Sequence, residues 1–116
     1  MPVPMLDLKA QYATIKAEID AVVADVFESQ VFRGGPYSES FEQAMSRYTQ
    51  TRHAIGVSSG TDALYLALKA LALQPGDEVI TTPFTFFATA GAIVNAGGVP
   101  VFVDIDPRSY TIDPNR

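Results

Sequence analysis

Three short strand-like runs, at residues 54–57, 78–82 and 99–103, alternate with two stretches of helix length, at 62–73 and 86–95. Strands joined by helices of this length run parallel, because a right-twisted strand feeding a helix packs back onto the sheet through a right-handed crossover. The pattern predicts three parallel strands in one sheet with helices on its faces, an α/β fold. The runs at 54–57 and 99–103 are apolar almost throughout, as in strands covered on both sides. Gln74-Pro75-Gly76-Asp77 stops the first of these helices and Gly97-Gly98 the second, through turn chemistry that a helix cannot continue.

Ahead of this alternation the period is helical. Leu8, Tyr12, Ile15, Ile19, Val22, Val23 and Val26 recur at steps of three and four, with Lys9, Lys16, Glu18, Asp20 and Asp25 between them, which predicts an amphipathic helix over residues 6–27. Residues 28–37 hold two glycines and a proline, so a loop is expected there, with Phe32 and Arg33 free to contact a ligand. Ser38 or Ser40 is placed to cap a short following helix on which Phe41, Met45 and Tyr48 share a face. We expect residues 1–53 to form a helical segment and residues 54–116 the first part of an α/β domain. Three strands are too few for a stable sheet, and residues 110–116 stop where another element should begin, so the chain is expected to be part of a larger domain. It has no internal repeat, no low-complexity tract and no compositional linker.

Composition narrows the function classes. At 47% hydrophobic over 116 residues the chain reads as a soluble globular domain. A net charge of -5, with eight Lys and Arg scattered rather than clustered, argues against a nucleic-acid partner. With no cysteine there is neither a disulfide nor a thiolate site, and a cytoplasmic location is expected. The opening MPVPMLDLKAQY lacks the basic start and apolar run of a secretory leader, and nothing approaches the ~20 apolar residues of a membrane span.

The chemistry concentrates at Ser58-Ser59-Gly60-Thr61-Asp62-Ala63-Leu64, a turn between a predicted strand and a predicted helix, on the edge where open α/β sheets bind ligands. Unpaired N–H groups and the positive end of the helix dipole would face a phosphate there. Gly60 would allow close approach and Thr61 would add a hydroxyl donor. The same Ser-x-x-Asp spacing also makes an ordinary helix cap that needs no ligand, and both readings stand. Neither G-x-x-x-x-G-K-[ST] nor G-x-G-x-x-G is present, so a single phosphate fits better than a nucleotide triphosphate or a dinucleotide. Phe84, Phe86 and Phe87 follow the second strand on the same edge and serve either to stack on a flat heteroaromatic ring or to pack in the core. Asp104 and Asp106 sit in a turn-like Asp-Ile-Asp-Pro, where carboxylates commonly bind the backbone. His53 is the only histidine and cannot by itself make a metal site or a triad.

Ser-Ser-Gly-Thr-Asp-Ala-Leu, Pro-Gly-Asp-Glu-Val-Ile-Thr-Thr-Pro-Phe-Thr-Phe, Val-Pro-Val-Phe-Val-Asp-Ile-Asp-Pro and the opening Met5-Leu6-Asp7-Leu8-Lys9-Ala10-Gln11-Tyr12 together resemble the DegT/StrS-type (DegT/DnrJ) sugar aminotransferases, over practically the whole chain and in the right order. The resemblance implies the amino-terminal part of an aspartate-aminotransferase-like large domain of PLP fold type I. It implies a homodimer with active sites at the interface, pyridoxal 5′-phosphate (PLP) as cofactor, and transfer of an amino group, usually from glutamate, to a nucleotide-linked keto sugar. On it, Gly60 and Thr61 hold the PLP phosphate, with Ser59 a lesser contact, and Phe86 stacks on the pyridine ring. The loop around Phe32, Gly35 and Pro36 approaches the sugar-nucleotide site, and the first helix packs across the dimer. PLP chemistry needs a lysine for covalent attachment and a carboxylate on the pyridine nitrogen, and in the family both come from later in the chain. Lys9, Lys16 and Lys69 are all predicted on helices, so no catalytic residue is expected here and the 116 residues alone should be inactive. Relatives with histidine in place of that lysine dehydrate the sugar, and a fragment that only binds is a further alternative.

Overall fold

A computed structural model describes residue 3 and residues 5–116, and the chain divides into two compact units, Met1–Gly56 and Val57–Arg116.

The first unit is built from two helices. In α1 (Leu8–Ser29), Asp7 caps the start by accepting the Ala10 N–H at 3.0 Å, and left-handed Gln30 (φ 57°) ends the helix. Lys16 pairs with Asp20 one turn on. In α2 (Pro36–Thr49) the start differs from the expectation. Neither Ser38 nor Ser40 caps it, and Pro36 belongs to the helix rather than the loop. Proline lacks an N–H that would go unpaired in a first turn, and its fixed φ is already helical, so the helix begins at Pro36 behind Gly35 (φ 81°). The Ser38 hydroxyl instead donates back to the Gly34 carbonyl at 3.3 Å. A Cβ on Gly35 would lie 2.7 Å from Val31 Cγ1, so both its backbone angle and its surroundings require glycine. Neither helix has a buried residue, and the backbones of the two do not approach each other closely.

Residues 54–57, expected as a strand, do not form one. A strand exists only through a ladder partner, and here the Gly56 N–H is taken at 2.6 Å by the Glu42 carboxylate of α2.

The second unit holds the sheet: α3 (Gly60–Ala70), β1 (Glu78–Thr81), α4 (Ala88–Ala96) and β2 (Val99–Phe102). As expected, β1 and β2 are parallel, in register from Glu78 opposite Val99 to Thr81 opposite Phe102. Among the described residues the sheet has two strands rather than three. The connection between them is α4, which packs on both strands and against α3. Ala88, Ala92, Ile93 and Ala96 are its buried face, with Thr81 of β1 buried as well. Three small alanines let α3 and the strands approach the α4 backbone closely, and Ile93 fills the remaining space. Gly97 (φ 101°) ends α4 as the sequence indicated, with the Gly97 and Gly98 N–H groups returning to the Val94 and Ile93 carbonyls at 3.0 Å. After β2 the chain turns at Asp106 and makes one antiparallel bridge, Ile105 to Ile112.

Candidate functional site

The start of α3 reconciles the two readings of Ser59-Gly60-Thr61-Asp62. Ser59 is extended (φ -160°) and its hydroxyl accepts the Asp62 N–H at 3.1 Å while donating to Asp62 Oδ2 at 3.1 Å. The Ser58 hydroxyl donates to the same carboxylate oxygen, and the Ser59 carbonyl accepts the Ala63 N–H at 3.0 Å. The cap thus consumes the N–H groups of Asp62 and Ala63. Those of Gly60 and Thr61 have no partner among the described residues, and they point out of the positive end of the helix dipole.

Gly60 carries a further indication. Its φ lies outside the left-handed region and a Cβ there would meet nothing within 4 Å, so neither backbone strain nor packing within the chain calls for glycine. The space left by the missing side chain is open to an approaching group. Two free N–H donors, the Thr61 hydroxyl and an unobstructed glycine form a donor set that fits a phosphate monoester such as that of PLP. The Ser59 hydroxyl, by contrast, has both its donor and its acceptor engaged by Asp62. Thr61 and Asp62 join Tyr65, Ala92 and Asn95 around an open depression of about 440 Å³ between α3 and α4. Tyr65 and Asn95 were not among the residues expected from sequence. The available signal was spacing, since Thr61 and Tyr65 are one turn apart on α3 as Ala92 and Asn95 are on α4.

Phe86 lies just before α4, its carbonyl accepting the Thr89 N–H at 3.0 Å, and it is not among the residues lining that depression. None of the three rings is in the core: Phe84, Phe86 and Phe87 are 77%, 78% and 82% exposed. Phe87 rests against Gly91, whose Cβ would be 3.3 Å from the ring. The segment is held by its threonines, Thr82 Oγ1 accepting the Phe84 N–H at 3.1 Å and Thr85 and Thr89 sharing a hydroxyl hydrogen bond of 2.9 Å.

In the first unit, Phe32 and Pro36 border a depression of about 230 Å³ at the elbow between α1 and α2, together with Asp25, Val26 and Tyr37; Gly35 is not in its lining. The Phe32 ring meets Phe27 edge to face, centroids 5.8 Å apart. The Tyr37 hydroxyl donates to Asp25 Oδ2 at 2.8 Å, and that hydrogen bond is the main reason the Tyr37 phenol is held above its ordinary value.

Asp106 Oδ1 accepts the N–H groups of Ser109 at 2.8 Å and Arg108 at 2.9 Å, and those bonds lower its carboxyl below the usual range. Lys9 and Lys16 lie on α1, and Lys69 in the last turn of α3 at the far end from Gly60. Among the described residues there is no cluster of metal-ligating side chains, and no helix is long and apolar enough to cross a membrane.

The sequence model of the DegT/DnrJ/EryC1/StrS aminotransferase family matches residues 13–116. The chain belongs to this family. A family relative from Geobacillus stearothermophilus, called a pleiotropic regulatory protein, is 52% identical over 98% of the chain and 31% of its own length. The dTDP-3-amino-3,4,6-trideoxy-alpha-D-glucose transaminase of Streptomyces venezuelae is 46% identical over 97% of the chain and 30% of its own length. The chain therefore spans about a third of the length of these family members. Among solved structures, S. venezuelae DesV in complex with a ketimine intermediate superposes with a TM-score of 0.92 at 45% identity, covering 97% of the chain and 30% of DesV. Bacillus subtilis NtdA with bound cofactor PMP superposes with a TM-score of 0.88 at 42% identity, over 98% and 26%.

Proposed function

We propose that the protein to which this chain belongs is a PLP-dependent aminotransferase that passes an amino group from glutamate to a keto sugar carried on a nucleotide, as a cytoplasmic homodimer. The observation that carries this reading is the α3 start, where a cap built by Ser59 and Asp62 leaves the Gly60 and Thr61 N–H groups free beside a glycine the fold does not need. Family membership over residues 13–116 and likeness to a structure holding PMP support it.

Gly60 and Thr61 bind and orient the phosphate, fixing the cofactor at one end without moving a proton. Phe86 offers its exposed ring as a platform that keeps one face of the pyridine dry. The elbow bearing Phe32, Gly35 and Pro36 contacts the sugar nucleotide. When bound, PLP supplies an electron sink for the charge left on a carbon that loses its proton. Lys69, the one lysine of the second unit, lies at the opposite end of α3 from Gly60. On this reading the 116 residues alone are inactive, and proton transfer falls to the rest of the protein.

The test uses the whole protein with PLP, glutamate and a dTDP- or UDP-linked keto hexose. Stoichiometric 2-oxoglutarate and an amino sugar are expected. A deoxygenated sugar that retains no nitrogen would move the protein to the dehydratase reading. PLP binding with no 2-oxoglutarate formed from glutamate would overturn the transfer.

A further inference from the structure

The elbow between α1 and α2 is held in an unusual way. The backbones of the two helices do not approach each other closely, so their relative direction is not set by close helix packing. It is set by the connection, where left-handed Gln30, Gly34 and Gly35 redirect the backbone, Gly35 is pressed against Val31, and Pro36 starts α2 without a serine cap. One side-chain hydrogen bond crosses from α2 back to α1 among the described residues, from the Tyr37 hydroxyl to Asp25 Oδ2. Polar side chains at and beside the connection are spent locally: Gln30 Nε2 donates to the Phe27 carbonyl, the Ser29 hydroxyl to that of Val26 and the Ser38 hydroxyl to that of Gly34.

We infer that the Tyr37–Asp25 hydrogen bond is a positioning clamp that closes the elbow and fixes how Phe32 is presented to the sugar nucleotide. The inference rests on the reading of this loop as part of the substrate site. Neither residue needs to touch substrate. Phe32 lies in the loop and Pro36 in the first turn of α2, both between the clamped residues in sequence, and Asp25, Tyr37, Phe32 and Pro36 border the same depression. Opening the clamp releases the ring from a single orientation and lowers the fraction of protein ready to bind the nucleotide, so apparent affinity falls by that fraction. Phosphate binding at Gly60 and Thr61 uses none of these residues. The Asp25 carboxylate also keeps the Tyr37 phenol protonated to higher pH than an ordinary tyrosine, which preserves the donor.

The whole protein carrying Tyr37→Phe tests this, since the variant loses one oxygen and keeps the ring. Loss of one hydrogen bond is expected to raise KM for the keto-sugar nucleotide about fivefold. PLP affinity and the rate of 2-oxoglutarate release from glutamate should stay unchanged. Amide hydrogen exchange at residues 31–35 should quicken by about the same factor, and Tyr37→Phe combined with Asp25→Ala should be no worse than either alone. Asp25→Asn, which keeps an oxygen acceptor, should stay within about twofold of the parent protein. Unchanged exchange at 31–35, additive losses in the double variant, or an equal loss in the glutamate reaction would each overturn the clamp. If the parent protein releases no 2-oxoglutarate, the functional reading fails, while the exchange and double-variant results still decide the clamp.

Discussion

The two units of this chain reach order by different means. In Val57–Arg116 a buried face of α4, Ala88, Ala92, Ile93 and Ala96, sits against α3 and two paired strands. In Met1–Gly56 no described residue is buried, and α1 and α2 depend on caps, a proline start and side-chain hydrogen bonds. The difference shows that a helix can be fully specified by local chemistry while its placement is not. Among the described residues apolar burial, which places elements, is found only where small residues let backbones come close.

The sharpest attempt to break this contrast is Ile93→Ala in the whole protein. Ile93 is 2% exposed, and truncating it leaves a void on the only buried helix face among the described residues. A loss of about 3 kcal/mol in urea unfolding is expected. A loss under about 1 kcal/mol would erase the distinction between the units.

Glycine to alanine, made once in each unit, sharpens it next. Gly35→Ala forces a side chain into a left-handed residue and against Val31, for an expected loss of about 2 kcal/mol read by the same unfolding curves. Gly60→Ala meets nothing in the chain, so unfolding should shift by less than about 0.5 kcal/mol. PLP affinity, followed by the absorbance of the bound cofactor, should nevertheless fall about tenfold, because the methyl enters the space a phosphate would use. Unchanged PLP affinity would remove Gly60 from the cofactor site.

The smallest effect is a titration. Asp106 has its carboxyl lowered below the ordinary 3.8 first by the Ser109 N–H and then by that of Arg108. A lowered folded value means the unfolded chain binds the proton more readily, so the stabilisation is present above pH 3.8 and is lost as pH falls through the folded value. The carbon chemical shift of the carboxyl should report a midpoint below 3.8, and an ordinary midpoint would show that the turn does not hold in solution.

What could be read without the structure follows from the range of the forces involved. The α3 cap involves atoms three residues apart, and the stop at Gly97 needs one left-handed residue, so both are written in short stretches of sequence. The start of α2 is equally local, but Ser38 and Ser40 offer the same capping chemistry as a true N-cap, while Pro36 starts the helix with no side-chain cap. At the candidate site, Gly60 and Thr61 were legible as an unpaired helix start. Tyr65 and Asn95 were not, because they meet only where α3 crosses α4.

By itself, then, the sequence determined where the helices lie, the Ser59 cap and the Gly97 stop, the parallel order of β1 and β2 and the family, since each depends on residue types at short spacing. Only the tertiary structure decided that residues 54–57 find no ladder partner among the described residues, that Tyr37 reaches Asp25, and that Phe84, Phe86 and Phe87 are exposed in this chain. Each of those outcomes depends on whether a partner distant in sequence is within reach, and pairing or burial takes two surfaces where a cap takes one turn of chain.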